Sequence, residues 1–287
     1  MPKANEIRHH INAVAETRKI TNAMQLVATA RAKKVIPKME YNRLFLAQVQ
    51  SVMKDLLLSP HLEGHAYLHW HSHQKRTYIV ISADKGMAGA YNASLLGFAW
   101  KEISEKVKAR EDMHLVSVGL MGDAYFRARN VIPDMQLPGV TQDPSLYNAR
   151  QLADYIIELY DNQETDQVFI IYTPFQNSAS GAPMIHRVLP LRISDFVDVE
   201  GTEQPEIIYH PNEAQVFNDL VPQFLVGYIF GALMHAYASE HTARMTAMQS
   251  ATRNADEMLG KLRQEYNLAR QAAVTQEIAE LSSSLFA

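Results

Sequence analysis

Apolar side chains between residues 3 and 58 recur at helical spacing. Ile7, Ile11 and Val14, then Ile20, Met24 and Val27, follow steps of four and three, with a change of phase between the two sets. The segment has no glycine and a single internal proline, Pro37, and is rich in Ala, Arg, Lys, Met, Leu and Gln, which lose little rotamer freedom in a helix. The pattern predicts one very long helix over 1–58, with Pro37 as the one place where it can bend. At ~1.5 Å per residue such a helix runs on the order of 80 Å, beyond the diameter of a compact domain of this size. It cannot be buried inside its own fold.

The pattern breaks over residues 59–76, which read as a connecting loop, and the period then changes. Short β-branched runs (77–82, 114–119, 167–173 and 184–192) alternate with amphipathic stretches at 92–109 and 148–160. Strands separated by helices predict an α/β unit with a mostly parallel sheet, over residues 77–195. Segment 130–147 holds Pro133, Pro138, Gly139 and Pro144 and reads as a loop, and 198–211 as a polar link. From residue 212 the helical pattern returns and runs to the end, with Pro222 near its start. There Met248, Thr252, Ala255, Leu259, Leu262, Tyr266, Ala269 and Ala273 form a heptad seam, which slips by one residue to Val274, Ile278, Leu281 and Leu285. Much of the seam is Ala or Thr, so two helices packed along it approach closely.

The predicted fold class is α/β: a Rossmann-like central domain, 77–195, between terminal helices 1–58 and 212–287 that pair as a long antiparallel coiled coil projecting from it. A slender helix pair has a high ratio of surface to core, so apolar residues on its outer faces are expected to sit inside a partner. The shape suits a mechanical or scaffolding part.

Charge sharpens this picture. The 287 residues carry a net −4, which gives no overall basic field for nucleic acid. Yet residues 1–50 hold nine basic and three acidic side chains, a local +6 that reads either as an interaction surface or as a solvated helix face. The absence of cysteine removes disulfides, thiolate nucleophiles and Cys-based metal sites together. The N-terminus is charged and lacks the apolar core of a secretory signal. The longest apolar run, 224–234, falls short of the ~20 residues of a membrane span.

Two stretches invite chemistry. Ser82-Ala83-Asp84-Lys85-Gly86-Met87-Ala88-Gly89-Ala90-Tyr91-Asn92 lies between a predicted strand and a predicted helix, where α/β folds hold phosphate. It lacks the third glycine of the dinucleotide fingerprint and the Gly-Lys-Ser/Thr ending of a Walker loop, so a structural tight turn is favoured. His61, His65, His69, His71 and His73 fall within thirteen residues, at spacings that could present imidazoles to zinc. With Glu63 as the only carboxylate, a solvated connector is favoured. No nucleophile elbow, His-Glu-x-x-His helix or catalytic carboxylate pair is present in a supporting context. The competing functional class is a Rossmann-like nucleotide-binding enzyme with helical arms.

Residues 239–248, Ser-Glu-His-Thr-Ala-Arg-Met-Thr-Ala-Met, with Ala251-Thr252, Asn254-Ala255 and the run from Tyr266 to Glu280, closely resemble the gamma subunits of F-type ATP synthases. Ile20-Thr21-Asn22-Ala23-Met24-Gln25-Leu26-Val27-Ala28, the turn from Ser82 to Asn92, and Leu189-Pro190-Leu191 match that family in order along nearly the whole chain. The resemblance implies the same fold, and a non-catalytic rotor shaft that couples ion flow through the membrane sector to ATP synthesis or hydrolysis on the beta subunits. The implied partners are the alpha and beta subunits of the catalytic hexamer, the epsilon subunit and the c-ring, with no nucleic acid. No cofactor, metal or catalytic residue is implied, and the implied location is peripheral, on the cytoplasmic face of a bacterial cell membrane, through the complex. By matching position Met24, Arg244, Arg270 and Gln271 are implied contacts to the beta subunits, and Thr275 and Glu277 lie near the contact between shaft and ring. For the last two, stabilisation of the coiled coil is the competing role. The basic N-terminal segment becomes a collar facing acidic loops of the ring. The ending Ser282-Ser283-Ser284-Leu285-Phe286-Ala287 departs from the family's usual Gly-Gly-Ala or Ser-Gly-Ala, and Ala88 stands where the family commonly has Cys.

Overall fold

The computed structural model describes residues 2–69, 75–176, 179–196, 199 and 208–285. Two long helices dominate it, α1 (Pro2–Leu57) and α5 (Glu213–Leu285). The chain forms two compact units, Arg31–Ala243, and Met1–Ala30 with Arg244–Ala287.

The unit Arg31–Ala243 is built on a five-stranded sheet of order β3-β2-β1-β4-β7. Its strands are β1 (Arg76–Ile81), β2 (Met113–Val118), β3 (Met135–Leu137), β4 (Gln167–Tyr172) and β7 (Met184–Leu189). A separate hairpin, β5 (Phe175–Gln176) and β6 (Ala179–Ser180), lies between β4 and β7 in the chain. The first four strands of the sheet are parallel, and β7 runs antiparallel to β4. Parallel pairing needs a crossover at each step. These are α2 (Tyr91–Lys106), α3 (Leu120–Arg127) and α4 (Leu146–Asp161).

Alternation along β1 explains why both faces of the sheet are covered. Tyr78 and Val80 join Leu95, Leu96, Ala99 and Ile103 of α2 in one core. Ile79 and Ile81 join the other, with Leu152 and Ile156 of α4, Met53 and Leu56 of α1, and Phe217, Phe224, Leu225, Ile229 and Leu233 of α5. By length and composition α5 is apolar enough to cross a membrane. Here Phe217, Phe224, Leu225, Ile229 and Leu233 among them are buried in the core that covers one face of the sheet. Helix starts are capped where the sequence permits: Ser145 Oγ accepts the Asn148 N–H at α4, and Asn212 Oδ1 accepts the Gln215 N–H at α5.

As expected, α1 is a single helix that carries Pro37 inside it, where the proline removes one backbone donor without ending the helix. Other expectations need revision. Segment 130–147 is not only loop, because it supplies the edge strand β3; three residues are too few to show a period. Helix α3 went unforeseen for a similar reason, being one short element behind Gly119. Residues 59–69 are more than a connector: two 3-10 turns bury Leu62 and Tyr67, and the Leu191 N–H donates to the Tyr67 carbonyl. Most of the link 198–211 lies outside the described residues.

Two glycines separate steric clash from backbone strain. Gly119 has φ +91° and a Cβ there would stand 2.2 Å from the Ser82 carbonyl oxygen, whereas Gly139, at φ +81°, faces open space. Gly119→Ala should therefore lower stability by ~3 kcal/mol or more and Gly139→Ala by ~1–2 kcal/mol. Urea midpoints of the two variants measure the difference.

Two half-buried histidines set a pH slope. Burial holds His186 and His235 below the ordinary imidazole value; His186 stacks on Tyr228 at 4.7 Å and His235 Nδ1 accepts the Phe175 N–H. Below about pH 6.5 the unfolded chain takes up protons that the folded chain resists, so stability falls with acid. Thermal unfolding between about pH 5 and pH 7 should show this slope, and His186→Gln with His235→Gln should reduce it, leaving the part contributed by His65, which burial also holds low.

Candidate partner-contact surface

The turn after β1 is occupied by its own side chains. Asp84, buried, accepts the Leu120 and Gly139 N–H groups at 3.2 and 2.9 Å and the Thr141 hydroxyl at 2.7 Å. The Met121 N–H goes to the Ala83 carbonyl and the Gly122 N–H to Ser82 Oγ. The start of α3 is thus satisfied by the chain itself. Asn92 closes the turn, its Oδ1 accepting the Ala83 N–H and its Nδ2 donating to the Lys85 carbonyl. Every one of these contacts suits a structural turn that ties β1 to the loops after β2 and β3.

Of the histidines, His65 packs edge-on against Phe217 at 4.8 Å and accepts the Tyr67 N–H on Nδ1. Among the described residues no three His, Cys, Asp or Glu side chains gather as metal ligands. His71 and His73 lie outside the described residues.

The other unit, Met1–Ala30 with Arg244–Ala287, is a helix pair. Thr21 and Thr252 share a hydrogen bond of 2.8 Å, and Arg18 Nε donates to Asp256 Oδ1 at 2.7 Å. Moving back along α1 moves forward along α5, so the helices are antiparallel. Both contacts place residues whose numbers sum to about 273 opposite one another. On α5 the predicted seam is the buried stripe: Met248, Ala255, Leu259 and Leu262 are buried, and Thr252, Tyr266, Ala269 and Ala273 half-buried.

On α1 the stripe differs from the expected one. Ile7, Ile11 and Val14 are half-buried, but the seam then continues in phase through Thr21 and Ala28, both buried. Ile20 and Val27 are instead 59% and 54% exposed, and Leu26 is exposed beside them. Small seam residues let the backbones approach, which leaves the larger neighbours outside. The in-register signal was present, seven residues from Val14 to Thr21 and seven more to Ala28, but neither marker is large and apolar.

At the observed register Pro2 stands opposite residue 271, so beyond about Ala272 no α1 residue lies opposite α5 among the described residues. Val274 and Ile278 there are exposed. Arg270 and Gln271 are exposed at the end of the paired region, and Thr275, whose hydroxyl donates to the Gln271 carbonyl, is exposed on the unpaired turn that follows. Glu277 shares that helical segment. Met24 is half-buried, and Arg244 is only 8% exposed. The candidate residues therefore do not gather at one place: Met24 and Arg244 lie on facing helices more than a turn out of register, and Arg270 to Glu277 lie near the end of α5.

A sequence profile described as ATP synthase matches residues 3–287. Curated relatives include an ATP synthase gamma chain from Ruminiclostridium cellulolyticum, 35% identical over 96% of this chain and 95% of the relative, and one from Acetivibrio thermocellus, 35% identical over 98% and 97%. The chain belongs to the ATP synthase gamma chain family. Among solved structures, a chain from the Tetrahymena thermophila mitochondrial ATP synthase central stalk and c-ring is similar in fold, with TM-score 0.63, 23% identity and coverage of 81% of this chain and 99% of that one. A chain of the Euglena gracilis mitochondrial enzyme has TM-score 0.65 at 15% identity over 99% and 94%. Gamma chains are non-catalytic, and nothing supports the nucleotide-binding enzyme as an alternative. The turn around Asp84 agrees with this.

The register makes a direct test. Ala28→Leu overpacks the seam and should cost ~1–3 kcal/mol, whereas Val27→Ser should change stability by less than ~0.5 kcal/mol. Thermal unfolding of both variants decides it, because a Val27 seam would reverse the order.

Proposed function

We propose that this chain is the central-stalk rotor of an F-type ATP synthase, coupling ion flow through the membrane sector to ATP synthesis or hydrolysis on the beta subunits. The match to gamma chains over almost the whole length carries the reading. Its partners are the alpha and beta subunits around the helix pair, and the epsilon subunit and c-ring at the other unit. The chain is held peripherally, through the complex, on the cytoplasmic face of a bacterial cell membrane.

The chemistry of the helix pair supports this role. Ile20, Leu26 and Val27 on α1, with Met258, Leu268, Val274 and Ile278 on α5, are large apolar groups left outside a thin seam. Solvated singly they would be unremarkable; along one helix pair they suit a surrounding sleeve. Arg270, Gln271 and Thr275 offer exposed polar side chains near the end of α5, in the helical segment that also carries Glu277, while Arg244 and the apolar Met24 are more enclosed. The local +6 of residues 1–50 suits acidic loops of the ring. A shaft without symmetry inside a ring of repeated subunits meets each with a different face, and that difference in contact free energy is what biases each between states.

Two pairs of substitutions separate contact from architecture. Replacing Arg270 and Gln271 with Ala removes charge-assisted contacts but leaves the seam packed, so alpha and beta should still assemble while ATP turnover and its coupling to ion transport fall about tenfold or more. Leu259→Asp with Leu262→Asp buries two charges in the seam, at several kcal/mol, and should prevent assembly. Gel filtration and ATPase assays read both. Normal turnover in the first variant would remove Arg270 and Gln271 from the coupling surface, and a complex that never forms with the unaltered chain would overturn the rotor reading.

A further inference from the structure

The strand order β3-β2-β1-β4 reverses direction at β1. The chain leaves β1 for β2 on one side, and β4 lies parallel to β1 on the other. In open parallel sheets a crevice forms outside the C-terminal ends of the two strands that flank such a reversal. A cavity of about 230 Å³ stands there in the unit Arg31–Ala243. Ala90, Tyr91 and Ser94 line it from the start of α2, which follows β1, and Thr173 lines it directly after β4. Gly181 and Ala243 help to complete the wall.

The polar groups gathered here can donate hydrogen bonds. α2 starts at Ala90, which offers no side-chain cap, and the Asn92 and Ala93 N–H groups of its first turn find no acceptor among the described residues. The start of a sixteen-residue helix also carries a partial positive charge. Thr173 is only 2% exposed, yet its hydroxyl has no hydrogen-bond partner among the described residues. Buried polar groups are seldom left in that state. Ser94 brings a second hydroxyl one turn into α2. Among the described residues no carboxylate lines the cavity. Asp84 is turned the other way, to the Leu120 and Gly139 N–H groups and the Thr141 hydroxyl on the β2 and β3 side of the turn.

We propose that this cavity binds one free tetrahedral oxyanion, of the size and charge of inorganic phosphate. Its oxygens accept from the Thr173 and Ser94 hydroxyls and from the open amides at the start of α2. Volume sets the upper limit: sites for drug-sized ligands begin at ~300 Å³, so a whole nucleotide is too large and a phosphate ion is not. A single water would satisfy Thr173 but leave the positive end of the helix without a counter-charge. No Lys or Arg lines the cavity among the described residues. Binding therefore rests on dipoles and hydroxyls, which corresponds to a dissociation constant of ~1–10 mM. The site stands independently of the rotor reading; on that reading, phosphate is also what the complex consumes in ATP synthesis and releases in hydrolysis.

The test titrates the full chain with inorganic phosphate, using chloride at equal ionic strength as the control. The phosphorus NMR line of the ion should broaden saturably on adding the chain. Thr173→Val, which keeps the side-chain shape and removes the hydroxyl, and Ser94→Ala should each weaken binding about fivefold or more. Ser94→Asp tethers a carboxylate at the helix start, so it should abolish phosphate binding and raise the thermal midpoint in phosphate-free buffer. Broadening that fails to saturate, or that persists unchanged in all three variants, would overturn the proposal. ADP bound at micromolar concentration through the same two hydroxyls would replace it with a nucleotide site. If Thr173→Val does not fold, the two Ser94 variants decide. In the purified complex the same titration should again depend on Ser94, and a cavity filled there by a partner's carboxylate would overturn the free ion as its occupant. The rotor reading fails separately, if alpha and beta subunits do not assemble on the chain.

Discussion

Close antiparallel packing of α1 on α5 is the constraint from which the rest follows. In the helix-pair unit it rests on Thr21, Ala28, Thr252 and Ala255, residues small enough for two backbones to approach. Such a seam buries little apolar area per turn, so it holds the helices in register but cannot also absorb Ile20, Leu26 and Val27. In the other unit the same helices meet again, where Val35 joins Met234, Tyr237 and Ala238 in one cluster and Asn42 bonds the Gly227 carbonyl. There the remaining faces of α5 are consumed by the sheet.

The α/β domain shows how little a fold says about chemistry. Its strand order, β3-β2-β1-β4, has the topology in which dinucleotides bind after β1. In this chain Asp84 carries the negative charge instead, turned inward to the Leu120 and Gly139 amides and the Thr141 hydroxyl. An internal carboxylate that satisfies a neighbouring helix start makes the turn a structural clamp, and the φ +91° glycine at 119 is the close approach that the clamp requires.

What the sequence made legible followed from repetition. The heptads of α5 and the β-branched runs at 77–82, 114–119 and 167–173 repeat a period often enough to identify their elements. β3 and α3 do not, being three and eight residues long. On α1 the error was one of weighting, since Ile20 and Val27 outrank Thr21 and Ala28 in hydrophobicity but not in fit to a narrow seam. The partner-contact residues came from resemblance alone, because nothing in the spacing of Arg270 or Gln271 distinguishes them from other polar residues on a helix. The cavity at the start of α2 was invisible for a different reason: Thr173, Gly181 and Ala243, which complete its wall, lie far along the chain from Ala90.

The unpaired end of α5 ties the seam to the function. A single helix in water gains no tertiary packing, and isolated helices below ~12–15 residues are marginal. Beyond residue 272 the described helix continues for thirteen residues with Val274 and Ile278 exposed and no α1 residue opposite. On the proposed rotor reading, Val274 and Ile278 are offered to partners and not to α1, so the side chains that would pack this stretch against a neighbour are also the ones through which that neighbour would sense the angle of the shaft.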